Sequence, residues 1–552
     1  MYANHSVCWS KCVLPVTLMI FPLTFAEAAP PPDVFYVSPF GVNAALRSGS
    51  ASYPWRTIGY ALGRAEVGSG DIIVVQSDGV DGNDDYTENV SVGKSVKIRG
   101  DDAALSPPVV RASSASDDVF EVAADGVEIS GLSIYGATAS TSVAAIHLNG
   151  VHGCLVRNNA CGLDAAKTNA LGVYVSDGAR NTVDECVVLY ASACGVRLLR
   201  TPGGIVYGNE IRHGAAGVEV NQSPASVVVH NVVTDNSTLL GNGWGVFLCA
   251  GSGWSVVTGN AIERNDKGVR LDASDVIVAA NAFTENVVGL WAESTSGVND
   301  VFYNSFDGNT LNVAASASIA YPVVSLEPLF YRYADNFSKS RFGNRYSDYS
   351  GADADGDGLG DLPYTAYGCR DEAPLVASAS QYALLGWTMG PADEGAMTLD
   401  DNDWSRRGEV VVLPVGGSLV FVSEHGMDEL ATFAAGSQAS GTTWSGWFTF
   451  ASPPAVGEGV TATLGSASSA AGAFLAVGPS AAVAGDGASY ALRFAADAGQ
   501  LILREGEHLA VRLTNTGSSA LYLLTGGGAS ALFAPEGARW GGPLIPWLLL
   551  LE

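Results

Sequence analysis

The stretches GNAIERNDKGVRL (259–271) and ANAFTENVVGLWA (280–292) repeat one pattern. Two residues after an Asn comes an apolar residue, five after it a second Asn, and eight after it a Gly followed by an apolar, a variable and an apolar residue. Three further units follow variants of this pattern: GNEIRHGAAGVEV (208–220), HNVVTDNSTLLGNGWGVFL (230–248) and YNSFDGNTLNVAA (303–315). The first Asn residues of the five units are Asn209, Asn231, Asn260, Asn281 and Asn304, in steps of 22, 29, 21 and 23 residues.

A period near 22 residues with short apolar runs is typical of stacked coils. Successive coils would pair backbone to backbone at about 4.8 Å and bury a continuous core of Val, Ile and Leu. Asn is suited to the bends because it tolerates a left-handed backbone. Stacked Asn side chains can also hydrogen-bond from coil to coil. The sequence therefore predicts an all-β solenoid.

Less regular coils extend the solenoid over roughly residues 105–325. The distance from the corner Asn to the strand Gly is eight residues in the regular coils, but 13 from Asn159 to Gly172 and 14 from Asn231 to Gly245. The insertions thus gather at one corner, just before one strand. Loops on one edge of a solenoid often build its binding face.

Before the coils, a strand at Phe35–Ser38 is followed by Pro54 and by apolar residues at helical spacing, namely Trp55, Ile58, Leu62 and Ala65. We expect an amphipathic helix here that covers the open end of the solenoid, which would otherwise expose unpaired strand edges.

This opening segment (FYVSPFG, YPWRTIGYAL, GDIIVV, YTENVSV, SVKIRG) resembles the start of pectate-lyase-like right-handed parallel β-helix proteins. The coil pattern resembles the repeat of the periplasmic copper-binding NosD family, and GNRYSDYSGADADGDGLGDLPY (343–364) resembles the element after its last coil. The resemblance covers about residues 33–376 and implies a right-handed parallel β-helix. It implies little about function, because this fold hosts many activities.

The chain has 552 residues and a formal net charge of −28, which argues against partners that need basic patches, such as nucleic acids. Lys11, the apolar run Val13–Phe25 and the small residues Ala26 and Ala28 predict a signal peptide over residues 1–28; a membrane anchor is the alternative reading. The apolar tail at 541–552 is too short to span a bilayer. We therefore expect a secreted, periplasmic or cell-surface protein without a transmembrane span in the mature chain.

Six cysteines follow the signal segment, and their even number allows disulfides. Cys186 with Cys194, or Cys154 with Cys186, are the pairs that the spacing allows. Burial as small core residues is at least as good an explanation.

The residue two positions after each strand Gly lies between apolar residues and should point outward. This column reads His147, where Ala145 stands in place of the Gly, and then Tyr174, Arg197, Glu219, Phe247, Arg270 and Trp291. Two positions further on lie Asn149, Ser176, Leu199, Asn221, Cys249, Asp272 and Glu293. Aromatic rings mixed with guanidinium and carboxylate groups suit carbohydrates, and Trp244 would flank the stripe. The alternative is a solvated face with Arg197–Glu219 and Arg270–Glu293 as ordinary ion pairs.

Candidate catalytic residues are confined to this stripe. Asp272 and Glu293, one coil apart, could act as an acid/base pair, and Arg270 could act as a lyase base. The sequence lacks the paired aspartates with Gly-His-Gly and Arg-x-Lys of polygalacturonases and the Asp-Pro-His-Asp of alginate epimerases.

The strongest metal-binding pattern is the acidic loop 353–361. Its alternating oxygen ligands would be Asp353, Asp355, Asp357, the Leu359 carbonyl and Asp361, as in the first nine positions of a calcium loop. Position twelve is Tyr364, so Asp348 or Asp371 would have to replace the usual Glu. We expect a structural calcium ion. Copper is not expected, because seven His and five Met are scattered along the chain.

The predicted domains are therefore the β-helix at 33–325, a terminal loop region at 326–382 and a β-sandwich at 383–540 whose strands alternate apolar residues. Three functions remain open: carbohydrate binding without catalysis, a polysaccharide lyase, hydrolase or epimerase using the same face, and a NosD-like periplasmic accessory factor for a copper enzyme. The sandwich could bind carbohydrate through Trp387, Trp404, Trp444 or Trp447, or bury these rings.

Overall fold

The structure is a computed structural model. It describes residues 31–80, 83–101, 104, 106–238, 243–293, 299–302, 304–316, 324–325, 343–354, 360–367, 369–371, 374–376, 386–393, 396–401, 409–423, 431–433, 443–469, 473–497, 501–503, 506–525, 530–533 and 539–540. The predicted signal peptide and the apolar tail lie outside these ranges.

Three parallel sheets run along the N-terminal two thirds of the chain, and each coil contributes one strand to each sheet. One regular coil crosses the first sheet at Val256–Thr258, the third at Ala261–Glu263 and the second at Lys267–Leu271 before it returns to the first sheet. The chain therefore forms the predicted parallel β-helix.

The first sheet has twelve strands: Val34–Val37, Ile72–Val75, Lys97–Gly100, Glu128–Ser130, Leu155–Arg157, Thr182–Asp184, Ile205–Tyr207, Val227–Val229, Val256–Thr258, Ile277–Ala279, Asn299–Phe302 and Val324–Ser325. The second has ten: Val90–Val92, Phe120–Val122, Ala144–Asn149, Leu171–Ser176, Cys194–Leu199, Ala216–Asn221, Trp244–Leu248, Lys267–Leu271, Val288–Ala292 and Leu311–Ala315. The third has eleven: Tyr86–Thr87, Val109–Arg111, Ser133–Tyr135, Ala160–Cys161, Val187–Leu189, Glu210–Arg212, Val232–Thr234, Ala261–Glu263, Ala282–Thr284, Ser305–Asp307 and Arg345–Tyr346.

The expected helix is present at Ile58–Leu62, shorter than its apolar spacing suggests. Thr57 caps it, and the carboxylate of Glu88 accepts from the backbone nitrogens of Ile58 and Gly59 at 2.9 and 3.0 Å. These bonds satisfy donors that a helix start leaves free. Trp55, Ile58 and Leu62 belong to the same buried cluster as the coil interior, so the helix covers the end of that core.

Asparagine side chains form two hydrogen-bonded ladders inside the coils. In the longer ladder, the Nδ2 of Asn209, Asn231, Asn260, Asn281 and Asn304 each donates to the Oδ1 of the next Asn at 2.9 Å, ending on Asn344. The shorter ladder joins Asn236, Asn265, Asn286 and Asn309 in the same way at 3.0–3.1 Å. The predicted stacking of Asn from coil to coil is confirmed.

The role expected for Asn in the backbone is wrong for these ladders. Left-handed φ values fall on the preceding residues, such as His230 (φ 58°) and Ala280 (φ 54°), and not on Asn231 or Asn281. Asn suits these positions because its side-chain amide hydrogen-bonds to buried backbone groups that a bend leaves unpaired.

Buried cysteines fill the core. Cys154, Cys161, Cys186 and Cys194 are buried with free thiols, and Cys249 is half-buried and also free. Neither disulfide that the spacing allows is formed. Burial raises the pKa of the Cys186 thiol to about 12, as expected of an inert core residue.

Residues beyond the coils form separate sheets. A two-stranded antiparallel pair joins Tyr364–Ala366 to Cys369–Asp371. The largest later sheet contains, in spatial order, Leu475–Ala484, Gly459–Ala467, His508–Asn515, Ser418–Ser423, Ala396–Asp401, Gly386–Asp393, Ala531–Phe533, Thr443–Thr449 and Ala491–Asp497. Smaller antiparallel sheets pair Glu409–Leu413 with Leu521–Thr525, and Ala431–Phe433 with Leu501–Leu503 and Arg539–Trp540.

The C-terminal sheets share a core of their own, which includes Phe421, Trp444 and Leu513. Their arrangement as a two-layer sandwich stays a prediction. They also contact the β-helix: Leu524 packs with Ile205 and Val229 of the first sheet in one buried cluster. The C-terminal sheets are thus docked on the first sheet of the β-helix, whereas the predicted site lies on the second.

Candidate functional site

The predicted outward column lies in register on the second sheet. His147 pairs with Tyr174, Tyr174 with Arg197, and the pairing continues through Glu219, Phe247 and Arg270 to Trp291. Its neighbours along each strand, such as Val269 and Leu271, are fully buried. The seven residues therefore form one stripe across seven coils, as the sequence predicts.

Arg270 is the centre of the C-terminal half of the stripe. Its guanidinium carbon lies 4.4 Å from the ring centre of Phe247 and 5.7 Å from that of Trp244. Its Nη2 atom lies 3.1 Å from Glu293 Oε1 and 3.4 Å from Asp272 Oδ2. The column predicted as aromatic and charged is therefore also a contact network, in which one cation is held by two rings and two carboxylates.

The carboxylates and Trp291 extend this network. The indole Nε1 of Trp291 donates to Glu293 Oε1 at 2.9 Å, and the Nζ atom of Lys267 lies 5.4 Å from the Trp291 ring centre. Burial raises the pKa of the Asp272 carboxyl, opposed by Arg270. Burial lowers the pKa of the Lys267 amine, and Arg270 lowers it further.

Three buried polar atoms in this network have no hydrogen-bond partner among the described residues. They are the Nε1 donor of Trp244, the Nε donor of Arg270 and the Oδ1 acceptor of Asp272. An unpaired buried polar atom costs about 1–3 kcal/mol. Each such atom in a folded protein needs an explanation.

The middle of the stripe is an ion pair with an additional donor. Arg197 Nε donates to Glu219 Oε2 at 2.8 Å, and Asn221 Nδ2 donates to the other Glu219 oxygen at 3.1 Å. Cys249 Sγ lies 4.0 Å from that second oxygen. Burial, together with Glu219 and Asp272, raises the pKa of the Cys249 thiol to about 12.

The N-terminal end of the stripe is built around His147. Its ring stacks on Tyr174 with 4.4 Å between ring centres. Its Nδ1 atom lies 2.8 Å from Asp118 Oδ2, and its Nε2 atom lies 2.9 Å from Ser176 Oγ. Asp118 precedes the strand Phe120–Val122, outside the repeat pattern, so sequence reasoning did not find it.

Lys267 was also missed, although a signal was available. It lies immediately before the strand Gly268, in the position that Trp244 occupies one coil earlier. The two residues pair across the sheet, so the position before the Gly forms another outward column beside the stripe.

The acidic loop lies partly outside the described residues. Asp355, Asp357 and Leu359 fall in the undescribed stretch, whereas Asp353 and Asp361 are described, and Asp361 Oδ2 accepts from the backbone of Ala354 at 2.9 Å. Both proposed replacement ligands have other partners. Asp348 accepts from Asn312 at 2.7 Å, and Asp371 accepts from Asn344 at 2.8 Å.

The tryptophans of the C-terminal region do not form an exposed platform where they are described. Trp444 is fully buried and Trp447 is 7% exposed. The side chain of Trp387 and all of Trp404 lie outside the description. For Trp444 and Trp447, burial in the core is therefore the better explanation.

Residues 125–351 match the family described as periplasmic copper-binding protein (NosD), which confirms the resemblance seen in the coil pattern. No curated protein matches the sequence. Solved structures that are similar include a GH136 lacto-N-biosidase from Eubacterium ramulus, with 12% identity, a TM-score of 0.38 and coverage of 57% of this chain and 64% of that one. The pectate lyase Pel9A is similar with 15% identity, a TM-score of 0.33 and coverage of 59% of this chain and 95% of that one. The periplasmic alginate epimerase AlgG is similar with 12% identity, a TM-score of 0.28 and coverage of 45% of this chain and 74% of that one.

The copper named in the family description has no suitable ligand set in the part of the chain described here. No group of three or more His, Cys, Asp or Glu side chains is placed to hold a metal ion there. The imidazoles of His147, His213 and His230 have separate ring partners on different coils. The described residues do not fit a copper site.

In the described ranges, no helix combines the length and the hydropathy that crossing a bilayer requires.

Proposed function

We propose that this chain is an exported β-helix protein that binds a carbohydrate chain along the stripe on its second sheet, without cleaving it. The stripe crosses seven coils, so it offers successive contacts to an extended polymer. Its components are rings, guanidinium groups and carboxylates, which match the apolar faces and hydroxyl groups of sugars.

The unpaired atoms of Trp244, Arg270 and Asp272 carry this proposal. Two of them are donors and one is an acceptor. A sugar hydroxyl both donates and accepts, so a pair of neighbouring hydroxyls can satisfy all three once the side chains turn toward the ligand. Binding would then remove a cost that the free protein carries.

The test is co-sedimentation of residues 29–552 with a panel of insoluble neutral and acidic polysaccharides, with and without calcium. Trp244→Phe keeps the ring and removes the donor, so it should weaken binding about tenfold, the loss of roughly one hydrogen bond to a buried group. Tyr53→Phe, which removes the hydroxyl of an exposed ring in the segment before the helix, is the matched control. Equal retention of both variants, or no retention of the native chain by any polysaccharide, would overturn the proposal.

Polysaccharide cleavage or epimerisation is the second candidate, and one observation favours it. Asp272 has a raised pKa and shares the Arg270 guanidinium with Glu293, so two carboxyls with different environments lie close together. Mass spectrometry of the same incubations would detect shortened chains or unsaturated ends. Products that disappear in Asp272→Ala would replace the binding proposal with an enzymatic one.

A NosD-like accessory role stays a third proposal, motivated by the family match alone. Metal analysis of the purified chain distinguishes this role from carbohydrate binding. If carbohydrate binding is the function, the chain should contain no stoichiometric copper.

A further inference from the structure

Three side chains at the N-terminal end of the stripe form a continuous relay. Asp118 lies just before the strand Phe120–Val122 of the second sheet. His147 and Ser176 lie in the next two strands, Ala144–Asn149 and Leu171–Ser176. The His147 ring bridges the other two, with Nδ1 2.8 Å from Asp118 Oδ2 and Nε2 2.9 Å from Ser176 Oγ.

The direction of the hydrogen bonds follows from the carboxylate. An ionised Asp118 can only accept, so the neutral ring carries its proton on Nδ1, and Nε2 is left as the acceptor for the Ser176 hydroxyl. The backbone nitrogen of Ala144 donates to the second Asp118 oxygen at 2.6 Å and fixes the carboxylate. Tyr174, stacked on the ring, limits its rotation. The Ser176 hydroxyl is therefore hydrogen-bonded to the imidazole of His147, a base whose orientation is fixed by the Asp118 carboxylate.

We propose that Asp118, His147 and Ser176 form a nucleophilic relay that removes small acyl groups, of the O-acetyl class, from the carbohydrate bound along the stripe. The substrate part of this inference rests on the proposed function. The acyl group must be small because Ser176 is only 3% exposed.

The chemistry is that of acyl transfer. Ser176 Oγ forms a bond to the ester carbonyl carbon while its proton passes to His147 Nε2, and the ester C–O bond then breaks as that proton is transferred to the sugar oxygen. Water then forms a bond to the acetyl carbon as it gives a proton to the same nitrogen, and the bond from that carbon to Ser176 Oγ breaks as the proton passes to Oγ, which releases acetate and restores the serine. Asn149 pairs with Ser176 across the sheet and carries an exposed amide that now donates to Glu121 Oε1 at 3.2 Å. This amide is a donor available for the oxyanion.

The experiment uses a fluorophosphonate probe and p-nitrophenyl acetate, both too small to need the carbohydrate site. Peptide mapping should place the phosphonate on Ser176, and labelling should be lost in His147→Gln. Ester hydrolysis should fall about a hundredfold in His147→Gln, the usual scale of general-base assistance, and at least as far in Ser176→Ala, which removes the nucleophile. Ser91→Ala is the matched control, because Ser91 is an exposed serine on the same sheet, three strands away from the strand that carries Ser176.

Absence of the label from Ser176, or labelling that persists in His147→Gln, would overturn the relay. Thermal unfolding of each variant shows whether the fold is kept, and Ser176→Cys, which keeps a nucleophile, should retain acylation by p-nitrophenyl acetate. Polysaccharide binding without labelling would overturn the relay and leave the proposed function intact. Labelling without binding of any polysaccharide would support the relay and count against a carbohydrate substrate.

Discussion

Asn344 donates to Asp371 through both its backbone nitrogen, at 2.8 Å, and its Nδ2 amide, at 3.3 Å. Every earlier rung of this ladder is an Asn, which donates to the next coil and accepts from the previous one. A carboxylate accepts without donating, so Asp371 ends the ladder. The hydroxyl of Tyr346 donates to the same oxygen at 3.1 Å.

Replacing Asp371 should destabilise the last coils. Asp371→Ala leaves three buried donors of Asn344 and Tyr346 without their acceptor, so we expect a loss of about 2–4 kcal/mol in unfolding free energy. Asp371→Asn keeps an acceptor oxygen and should cost less. Urea unfolding measures both, with Asp307→Ala, an exposed carboxylate on the third sheet, as control. A loss for Asp371→Ala no larger than for the control would contradict the assignment.

Replacing an Asn in the middle of the ladder should destabilise the protein more than replacing a charged residue on the outer side of the same coil. The Asn260 amide donates to Val228 O, Thr258 O and Asn281 Oδ1, and its Oδ1 accepts from Asn231. Asn260→Ala should cost about 2–4 kcal/mol because these buried groups lose their partner. Glu263→Ala, on the outer side of the same coil, should change stability by less than about 1 kcal/mol. Similar values for the two variants would show that the ladder does not stabilise the coil.

Gly268 is required for close packing of the second sheet. A Cβ atom there would lie 2.4 Å from the carbonyl oxygen of Gly289 and 2.9 Å from the Phe283 ring. Gly268→Ala should therefore destabilise the protein by about 1–3 kcal/mol through overpacking. Gly93→Ala, where no atom lies within 4 Å of the new Cβ, is the matched control and should be neutral or slightly stabilising. Circular dichroism melts distinguish the two.

Alkylation of Cys249 should report on the stripe. Its thiol has a pKa of about 12, so at pH 8 almost none is thiolate, and iodoacetamide should react about a thousandfold more slowly than with an ordinary thiol. The rate should rise about tenfold per pH unit until the thiol ionises. Glu219→Gln removes a neighbouring negative charge, lowers the thiol pKa and should speed labelling at pH 8. A rate independent of pH, or slowed by Glu219→Gln, would contradict this environment.

Calcium should stabilise the protein if the loop 353–361 binds it. Saturating Ca²⁺ should raise the melting temperature, because a ligand that binds the folded state adds to its stability. Asp353→Asn and Asp357→Asn should abolish that increase, whereas Asp486→Asn, in a turn of the C-terminal region, should not. No calcium effect on the native chain after chelator treatment would reject the site.

The solenoid and the stripe could be predicted because their signal is a spacing. Six of the seven outward residues fell into one register because each is counted from a Gly that the close approach of coils requires, and His147 takes the same place after Ala145. Asp118 could not be found in this way, since it precedes a strand of an irregular coil and meets His147 only in space. The left-handed backbone was predicted at the Asn residues themselves, because residue propensity alone does not distinguish the residue at the bend from the Asn that follows it.

The ladders also determine which changes of length the fold accepts. Asn231 and Asn281 occupy the same place on coils separated by one intervening coil, and Asn260 bonds to Asn281 over 21 residues. Excision of residues 260–280 would bring Asn281 to the position that Asn260 leaves, with every rung again occupied. Excision of half that length would place a side chain other than Asn at the corner. Outside the corner loop that already varies in length, insertions and deletions in this protein are therefore expected to occur in whole coils, and the length of its stripe can change in steps of one coil.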